Sequence, residues 1–405
     1  MNIVILSPGY PAEMAEFTRG LARAGAKAIG VGEHPVGTLP DNARNHLAHY
    51  VQVHSLVDED EVYNQLSHLA KHVAIDRLEC LWEPFMLMAA RLRERLGLPG
   101  MNVAATEPFR DKEKMKQTLD AAGLRTPRHR QAGDAQGIRS AARAIGFPLV
   151  VKPLAGAGSA DTYRVDDTAA LERVIARVPH VQSLSVEEYI EGEEYTFDTV
   201  CADGKVVYEN IAWYRPKPMI GRAEEWISMQ TINLRHVDDA RLQSGRKLGH
   251  AVLKALGFRT GFTHMEWFLK PDGEAVFGEI GARPPGGRSV DLMNYSNNFD
   301  IYTGWAEAVT GRGFSQIAQR AYHAAAIFKR AIGHGHICRI EGLETLRRRF
   351  GDALVHVDLL PLGARRRDWK QTLISDGYLI VRHPDLEATL EMADLVGSDL
   401  KIYAQ

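Results

Sequence analysis

Residues 263–288 read THMEWFLKPDGEAVFGEIGARPPGGR, and this stretch predicts a β-hairpin. Two runs rich in aromatic and β-branched residues, 263–269 and 275–280, flank the dipeptide Asp272-Gly273. Such a dipeptide is typical of a two-residue hairpin turn, because glycine tolerates the positive φ that the turn requires. The turn sets the register of the two strands, and with it the side chains that share a face.

With Asp272 and Gly273 as the loop, Glu266 pairs with Glu279. Because side chains alternate between the faces of a sheet, one face is expected to carry His264, Glu266, Phe268, Phe277, Glu279 and Gly281, with Arg283 just beyond. Two opposed carboxylates repel each other. A divalent cation between them removes the repulsion, and hard oxygen donors suit Mg²⁺ or Mn²⁺. The alternative is a pair of exposed surface glutamates, since a one-residue slip in register would separate them.

The residues after the hairpin add a cation and a stiff turn. Arg283 follows Glu279 by four residues, and the glycine amides of Pro284-Pro285-Gly286-Gly287 are able to approach an anion. A metal, an arginine and backbone amides together suit a transferring phosphoryl group. On these residues the chain resembles the ATP-grasp superfamily of carboxylate–amine ligases, whose signature is two metal-binding acids on adjacent strands with an E-x-x-x-R tail. That family usually has Asn where this chain has Gly281, which leaves a second metal position to phosphates and water.

Composition limits the class of protein. The 405 residues suffice for two or three domains, and 45% hydrophobic with 25% charged residues is ordinary for a globular chain. A formal net charge of -2 argues against nucleic acid or an anionic membrane as the main partner. The three cysteines are scattered, without C-x-x-C. The sequence has no apolar run of the ~20 residues that a membrane span needs, and no signal peptide is expected. These observations predict a cytoplasmic protein.

The N-terminal part predicts an open parallel sheet. The apolar run NIVIL at 2–6 is typical of a strand buried on both faces, and 12–24 has helical spacing before a second strand. There is no G-x-G-x-x-G, so we predict no dinucleotide site. The resemblance implies a Rossmann-like domain here, with the loops 7–10 and 82–84 as candidate substrate contacts; the alternative is that they are plain loops.

A second match lies at residues 147–153, FPLVVKP, a predicted strand that places Lys152 near its end. The small, Gly-rich segment that follows is not a P-loop, yet its amides are able to approach phosphates. Pro-hydrophobic-hydrophobic-Val-Lys-Pro before Gly-x-Gly-Ser matches ATP-grasp proteins. The resemblance implies that Lys152 contacts the α- and β-phosphates and that 155–160 acts as a mobile lid. The lid residues implied to bind ATP are Gly156, Gly158 and Ser159.

Residues 111–122, DKEKMKQTLDAA, predict an amphipathic helix that ends at Gly123. Its lysines would ordinarily form a solvated face. The corresponding helix of ATP-grasp proteins supplies one phosphate-binding basic residue near its start. The resemblance implies Lys114 for that role.

Residues 185–196, SVEEYIEGEEYT, are rich in glutamate. The plain alternative is an acidic, solvated strand-turn-strand. By resemblance the segment forms the adenosine pocket: the backbone at Tyr189 and Ile190 meets the adenine edge, Glu187 lies beside the adenine amino group, and Glu194 accepts the ribose hydroxyls. A carboxylate suits ribose because it accepts two hydroxyl protons.

Weaker candidates lie around the acceptor site. His264 would polarise a phosphate or carboxylate, or else be a structural histidine. The tentative substrate-binding residues Gly286, Gly287 and Arg288 precede a predicted helix whose first amides are able to bind a carboxylate. His334-Gly335-His336 has metal-pair spacing, but a Gly-bounded turn is the favoured interpretation.

The predicted fold class is therefore α/β and α+β: an ATP-grasp fold with an N-terminal Rossmann-like domain and a small C-terminal α+β subdomain. The predicted units are 1–105 (Rossmann-like), 106–185 (small lid subdomain), 186–325 (large subdomain with the metal site) and 326–405 (α+β).

The resemblance implies an ATP-dependent ligase that uses Mg²⁺ or Mn²⁺, with Arg283 as the catalytic cation. MgATP would phosphorylate a small-molecule carboxylate, and an amine would displace phosphate to give an amide. Amino acids are the expected substrates, and a homodimer is possible by analogy. Two alternatives stay open: a biotin-carboxylase-like or formyl-phosphate purine-synthesis enzyme, and a non-catalytic ATP sensor suggested by Gly281.

Overall fold

The part of the chain that the structure describes folds into four β-sheets and the helices that cover them. The computed structural model describes residues 1–154, 162–178, 183–372 and 374–405. The predicted lid residues Gly156, Gly158 and Ser159 lie outside these ranges.

The N-terminal domain is a parallel sheet of four strands in the order β3-β2-β1-β4. Its elements are β1 (Asn2–Leu6), α1 (Met14–Arg23), β2 (Lys27–Gly32), α2 (Asp41–Arg44), β3 (Leu47–Gln52), α3 (Glu59–Ala70), β4 (Arg77–Glu79) and α4 (Met86–Leu96). Residues 3–6 of the central strand are fully buried, as the apolar run predicts. The loops 7–10 and 82–84 leave the carboxyl ends of two adjacent strands, where such sheets form a crevice.

A small antiparallel sheet with two helices follows. Its order is β5-β8-β6-β7. The elements are α5 (Val103–Thr106), α6 (Lys112–Ala121), β5 (His129–Ala132), α7 (Ala135–Ile145), β6 (Leu149–Pro153), β7 (Tyr163–Val165), α8 (Thr168–Arg177) and β8 (Leu184–Glu188). Its core is made by the apolar faces of α7 and α8 against β6 and β8.

The largest sheet has nine strands and belongs to both the large subdomain and the C-terminal region. The large-subdomain elements are β9 (Glu193–Ala202), β10 (Lys205–Asn210), β11 (Ala212–Arg215), α9 (Pro218–Gly221), β12 (Gln230–Asn233), α10 (Gln243–Ala255), β13 (Gly261–Leu269), β14 (Ala275–Gly281), α11 (Ser289–Asn297) and α12 (Ile301–Val309). The C-terminal elements are β15 (His323–Lys329), β16 (Ile332–Gly333), β17 (Ile337–Glu341), α13 (Leu343–Phe350), β18 (Leu354–Leu359), β19 (Gly377–His383), α14 (Leu386–Asp399) and β20 (Lys401–Ala404).

The strand order in this sheet is β14-β13-β9-β11-β12-β15-β19-β18, with β10 also paired to β9. Three C-terminal strands thus continue the sheet of the large subdomain, and the predicted boundary after residue 325 falls inside β15. The remaining strands β16, β20 and β17 form a separate small sheet. Gly333 and Gly335 have φ of +96° and +94°, and the backbone of His336 pairs with Gln405, so His334-Gly335-His336 belongs to a turn and strand end.

The N-terminal domain docks on the large subdomain through α1 and α12. The Phe17 ring meets the rings of Tyr302 and Trp305 edge-on, at centroid distances of 4.8 and 5.1 Å. Gly20 lies so close to α12 that a Cβ there would be 2.4 Å from the Tyr302 carbonyl oxygen. The Arg19 guanidinium binds Asp300 at 2.8 Å across the same contact. This docking fixes the crevice between the parallel sheet and the large sheet.

Helix α10 supports the hairpin from behind. The Trp267 ring fills the space where a Cβ of Gly245 would lie, 2.1 Å from its nearest atom. The Phe197 ring likewise lies against Gly249. With the apolar residues of β9 and β13 buried on this side, their polar residues are left on the opposite face. Among the described residues, no helix has the length and apolar character needed to span a membrane.

Candidate active site

The hairpin of β13 and β14 pairs Glu266 with Glu279, as predicted. The turn, however, differs from the prediction. The Lys270 amide donates to the Glu274 carbonyl and the Gly273 amide donates to the Lys270 carbonyl, both at 2.9 Å. The loop therefore has three residues, with Gly273 at φ +85° as its left-handed member. The prediction of a two-residue loop made by Asp272 and Gly273 was wrong.

A bulge at Gly278 compensates for the longer turn. The register shifts between Glu266 and Trp267, so that Phe277 pairs with Trp267. Phe277 therefore lies on the opposite face from the glutamates, and its predicted place beside them was wrong. A Cβ on Gly278 would lie 2.8 Å from the Glu266 carbonyl oxygen, so the bulge favours glycine. Because the inserted residue restores the register beyond it, the two glutamates meet on one face.

Polar residues cross three strands in rows on this face. The pairings β9 to β13 to β14 give one row of Asp198, His264 and Gly281 and a second row of Thr196, Glu266 and Glu279, while Glu194 pairs with Phe268. Directly paired residues project to the same side of a sheet. The strand β9 thus adds acidic residues to the two that the hairpin supplies. Asp198 escaped the sequence prediction, although it lies at i+4 from Glu194 on the same strand.

The two opposed carboxylates fit a magnesium ion held partly by its substrate. Gly281 supplies no side-chain donor, and among the described residues no set of three or more His, Cys, Asp or Glu side chains is arranged to hold a metal. Mg²⁺ is commonly bound through one or two protein carboxylates, with phosphate oxygens and water completing its shell. The donor set of Glu266 and Glu279 matches that pattern.

Helix α6 brings Lys112 to the site and turns Lys114 away from it. The Lys112 ammonium lies 2.8 Å from Oε1 of Glu279 and is 8% exposed. Lys114 is 51% exposed and pairs with Glu107 at 2.6 Å. At 3.6 residues per turn, positions two apart point to different sides, whereas Lys112 and Lys116 share a face. The structure therefore does not support Lys114 as the phosphate-binding lysine of this helix.

A buried lysine, Lys116, and a partly buried one, Lys152, hold Glu187 between them. Lys152 Nζ lies 3.0 Å from Oε2 of Glu187, and the Lys116 ammonium contacts Oε1. Burial alone would raise the pKa of Glu187, but the two ammonium groups outweigh it and hold that pKa far below its usual range. Burial likewise opposes the charge of Lys152, yet Glu187 and Glu279 raise the pKa of this lysine. Lys116 was missed because a lysine in an amphipathic helix ordinarily faces solvent.

The predicted adenosine residues lie on β8, on β9 and in the loop that joins these strands. The Tyr189 amide donates to the Pro148 carbonyl at 3.1 Å, and the Arg164 guanidinium lies 4.2 Å from the centre of the Tyr189 ring. Ile190 is buried. Glu194 is buried as well, and its burial and the charge of Glu266 raise its pKa. The contacts of these residues with a nucleotide stay predictions.

Arg283 is oriented by a carboxylate from the N-terminal domain. Its Nε donates to Oε2 of Glu83 at 2.6 Å, and Arg110 donates to the other oxygen of the same carboxylate. Burial opposes the charge of Arg283, but Glu83 and Glu279 raise its pKa, so it stays a cation beside the acidic pair. Glu83 was not predicted as a site residue, although it lies in the loop 82–84.

Arg288 closes the turn before α11. It adopts φ +62°, as does Gly287, and its amide donates to Oε1 of Glu13 at 3.1 Å. The Ser289 amide donates to the Gly286 carbonyl. The Glu13 carboxylate thus occupies the Arg288 amide, one of the backbone amides that the sequence analysis proposed for a bound carboxylate. Substrate contacts at Gly286, Gly287 and Arg288 stay predictions.

His264 joins Asp198 to Glu266. Its Nδ1 lies 2.6 Å from Asp198 Oδ1, and its Nε2 lies 3.6 Å from Glu266 Oε1. Burial would lower the pKa of His264, but the two carboxylates raise it to about 9. The side chain is therefore an imidazolium at neutral pH that orients one member of the acidic pair.

Comparison with known proteins agrees with this architecture. Residues 22–100 match the ATP-grasp N-terminal domain, and residues 145–291 match the ATP-grasp domain. The L-amino acid ligase from Bacillus licheniformis has a similar structure, with a TM-score of 0.79 at 23% identity over 100% of this chain and 98% of that one.

Two ligases of Bacillus subtilis are similar in sequence. Alanine–anticapsin ligase is 29% identical over 254 residues, which are 56% of this chain and 52% of the relative. An L-arginine-specific L-amino acid ligase is 25% identical over 63% of this chain and 62% of its own length. The chain thus spans about half to three fifths of the length of these relatives. The two matched domains, in this order and on this fold, show that the chain belongs to the ATP-grasp superfamily.

Proposed function

We propose that the protein is an ADP-forming ligase that joins the carboxylate of an amino acid to an amine, with Mg²⁺ and ATP. The carboxylate is phosphorylated by ATP to an acyl-phosphate. The amine then attacks the acyl carbon, an amide bond forms, and phosphate leaves.

The observation that carries this proposal is the in-register pairing of Glu266 with Glu279, with cations on either side. Lys112 contacts Glu279 directly, and both acids act on the charge of Arg283. A metal ion held by opposed acids, with lysine and arginine beside it, suits the negative charge of a transferring phosphoryl group. When bound, the metal would neutralise phosphate charge.

The residues of this chain would perform distinct parts of the reaction. Lys152 and Lys112 lie where they would attract the phosphate oxygens of the nucleotide. Arg283, oriented by Glu83, would stabilise the charge that spreads over the transferred group. No covalent nucleophile is required, because the substrate carboxylate itself attacks the γ-phosphorus of ATP.

The relatives favour amino acids as substrates. Two of them are named as ligases of alanine with anticapsin and of L-arginine, and the L-amino acid ligase shares the fold over the full chain. Because this chain spans only part of the sequence relatives, the identity of both substrates is part of the proposal.

The test is an ADP-release screen over paired L-amino acids, with mass detection of the dipeptide. We expect ADP formation that requires two amino acids, and its loss in Glu279→Gln by roughly a hundredfold or more, as for the removal of a group that acts in the transition state. Turnover with bicarbonate or formate alone would instead select the carboxylase or formyl-phosphate alternative. ATP binding without ADP formation under any condition would select a nucleotide sensor.

A further inference from the structure

Lys116 is a buried cation that the proposed reaction does not use. Its side chain is 1% exposed, and it lies on α6 between the small sheet and the large sheet. Its ammonium group contacts Oε1 of Glu187, and the other oxygen of that carboxylate contacts Lys152. Burying an ammonium group costs free energy, so a lysine here requires a compensating charge.

The charges in this cluster do not balance in pairs. One carboxylate, Glu187, faces two ammonium groups, Lys116 and Lys152. Without Lys116, the ion pair of Glu187 with Lys152 would be neutral as a whole. With Lys116 in place, the cluster keeps one net positive charge. Lys152 interacts electrostatically with Glu279 and Glu266 as well as with Glu187.

We propose that Lys116 is a positioning residue for nucleotide binding: by holding one oxygen of Glu187, it leaves the charge of Lys152 available to the phosphates. This inference rests on the proposed function, since it requires that ATP binds beside Lys152. Lys116 itself need not touch the nucleotide, because it acts through Glu187.

The electrostatics of the cluster support this role and give it a pH signature. Burial and the nearby Lys152 together outweigh Glu187 and lower the pKa of Lys116 to about 8. The charged groups that face Lys116 are Glu187, Lys152 and Glu279. The pKa of Glu187 is lowered and that of Lys152 is raised, so neither changes its charge near pH 8. Deprotonation of Lys116 should therefore weaken nucleotide binding as the pH rises through about 8.

The pKa of Glu194 is also raised, by burial and by Glu266. A titration of Glu194 would be present in every variant of Lys116. Lys116→Arg separates the two groups, because an arginine stays charged throughout this range. Its pH profile would lack the contribution of Lys116 and keep that of Glu194.

The experiment is calorimetric titration with MgADP at pH 7 and pH 9, without amino acids. The variants are Lys116→Met, which removes the charge but keeps the length, Lys116→Arg, and Lys254→Met as a control at an exposed lysine on α10.

We expect Lys116→Met to weaken binding at pH 7 by about tenfold or more, as for the loss of one unit charge near the phosphates. The wild type should lose affinity between pH 7 and pH 9, and Lys116→Arg should keep wild-type affinity at pH 7 and lose less at pH 9.

Equal affinity of Lys116→Met and wild type at both pH values would overturn the inference. So would an equal loss in Lys116→Met and Lys116→Arg, which indicates a packing role. If Lys116→Met fails to fold, the wild type and Lys116→Arg decide the matter: identical pH profiles would contradict the role, and a flatter profile for arginine would support it. Failure of the wild type to bind MgADP would count against the proposed function instead.

Discussion

Glu266 and Glu279 lie directly opposite each other on β13 and β14, although the turn between these strands is one residue longer than a two-residue hairpin loop. The extra residue is absorbed by the bulge at Gly278. Without that bulge the residues of β14 beyond Gly278, Glu279 among them, would project to the other face of the sheet. The acidic pair thus depends on a glycine that has no side chain to contribute.

Substitution of Gly278 by valine should disturb the pair. A Cβ at this position would meet the Glu266 carbonyl oxygen at 2.8 Å, so the strands must shift apart. We expect the unfolding free energy to fall by about 1–3 kcal/mol, as for overpacking, and ADP formation to require more Mg²⁺. Thermal unfolding and the Mg²⁺ dependence of turnover measure the two effects. A variant with the wild-type Mg²⁺ dependence would show that the bulge does not set the geometry of the acids.

Lys112 and Lys114 should differ sharply when each is replaced by methionine. Lys112 contacts Glu279, whereas Lys114 faces solvent beside Glu107. We expect Lys112→Met to lower kcat/KM for ATP by about 10–100-fold, in the range of one lost charged contact. Lys114→Met is the matched control on the same helix and should stay within twofold. Steady-state kinetics with varied ATP decide, and a larger loss in the Lys114 variant would reverse the assignment.

Glu83 should matter for rate more than for nucleotide affinity. Its carboxylate orients Arg283 from across the domain crevice. Glu83→Gln keeps the shape but loses the charge, so Arg283 is held less firmly in the orientation that the proposed reaction requires. We expect kcat to fall by about 10–100-fold with the KM for ATP nearly unchanged. A variant that changes only KM would indicate that Arg283 binds the ground state.

His264 should make the free energy of unfolding fall as the pH rises into the alkaline range. Its pKa is about 9 in the folded chain and 6.5 in its ordinary state. Because the folded pKa is the higher one, this stabilisation is complete below pH 6.5 and is lost as the pH rises through about 9. We expect His264→Asn to cost up to roughly 3 kcal/mol at pH 6 and much less at pH 9.5. Urea unfolding of both proteins at the two pH values measures the difference, and a constant cost would contradict an imidazolium here.

The contact between α1 and α12 should be sensitive to a single methyl group. In Gly20→Ala the new Cβ would lie 2.4 Å from a backbone carbonyl oxygen of Tyr302. We expect a loss of about 1–3 kcal/mol in the free energy of unfolding. Gly37→Ala is the control, since a Cβ at Gly37 meets no atom within 4 Å and Gly37 has no positive φ. Equal stability of the two variants would show that the N-terminal domain is held by other contacts.

Local sequence determined the elements that carry the chemistry. The alternation of residues in 263–280 predicted both strands of the hairpin, and the apolar run at 2–6 predicted a buried strand. The pairing of the glutamates was predicted from a two-residue loop, and it holds because the bulge at Gly278 offsets the third loop residue. The motif around Lys152 pointed to the superfamily. These signals are short-range, because side-chain period and turn chemistry are properties of neighbouring residues.

Tertiary structure decided which residues meet. The loop length and its compensating bulge depend on how β13 packs against β9 and α10, which no local pattern records. The orientation of α6 places Lys112 against Glu279 and Lys116 against Glu187, and leaves Lys114 beside Glu107 in solvent. Glu83 and Asp198 reach the site from a different domain and a different strand, 200 residues from Arg283 and 66 from His264 respectively. The sequence sets the periodicity of each segment. Charged residues that are far apart along the chain become neighbours, and shift one another's pKa, only when the domains and strands pack together.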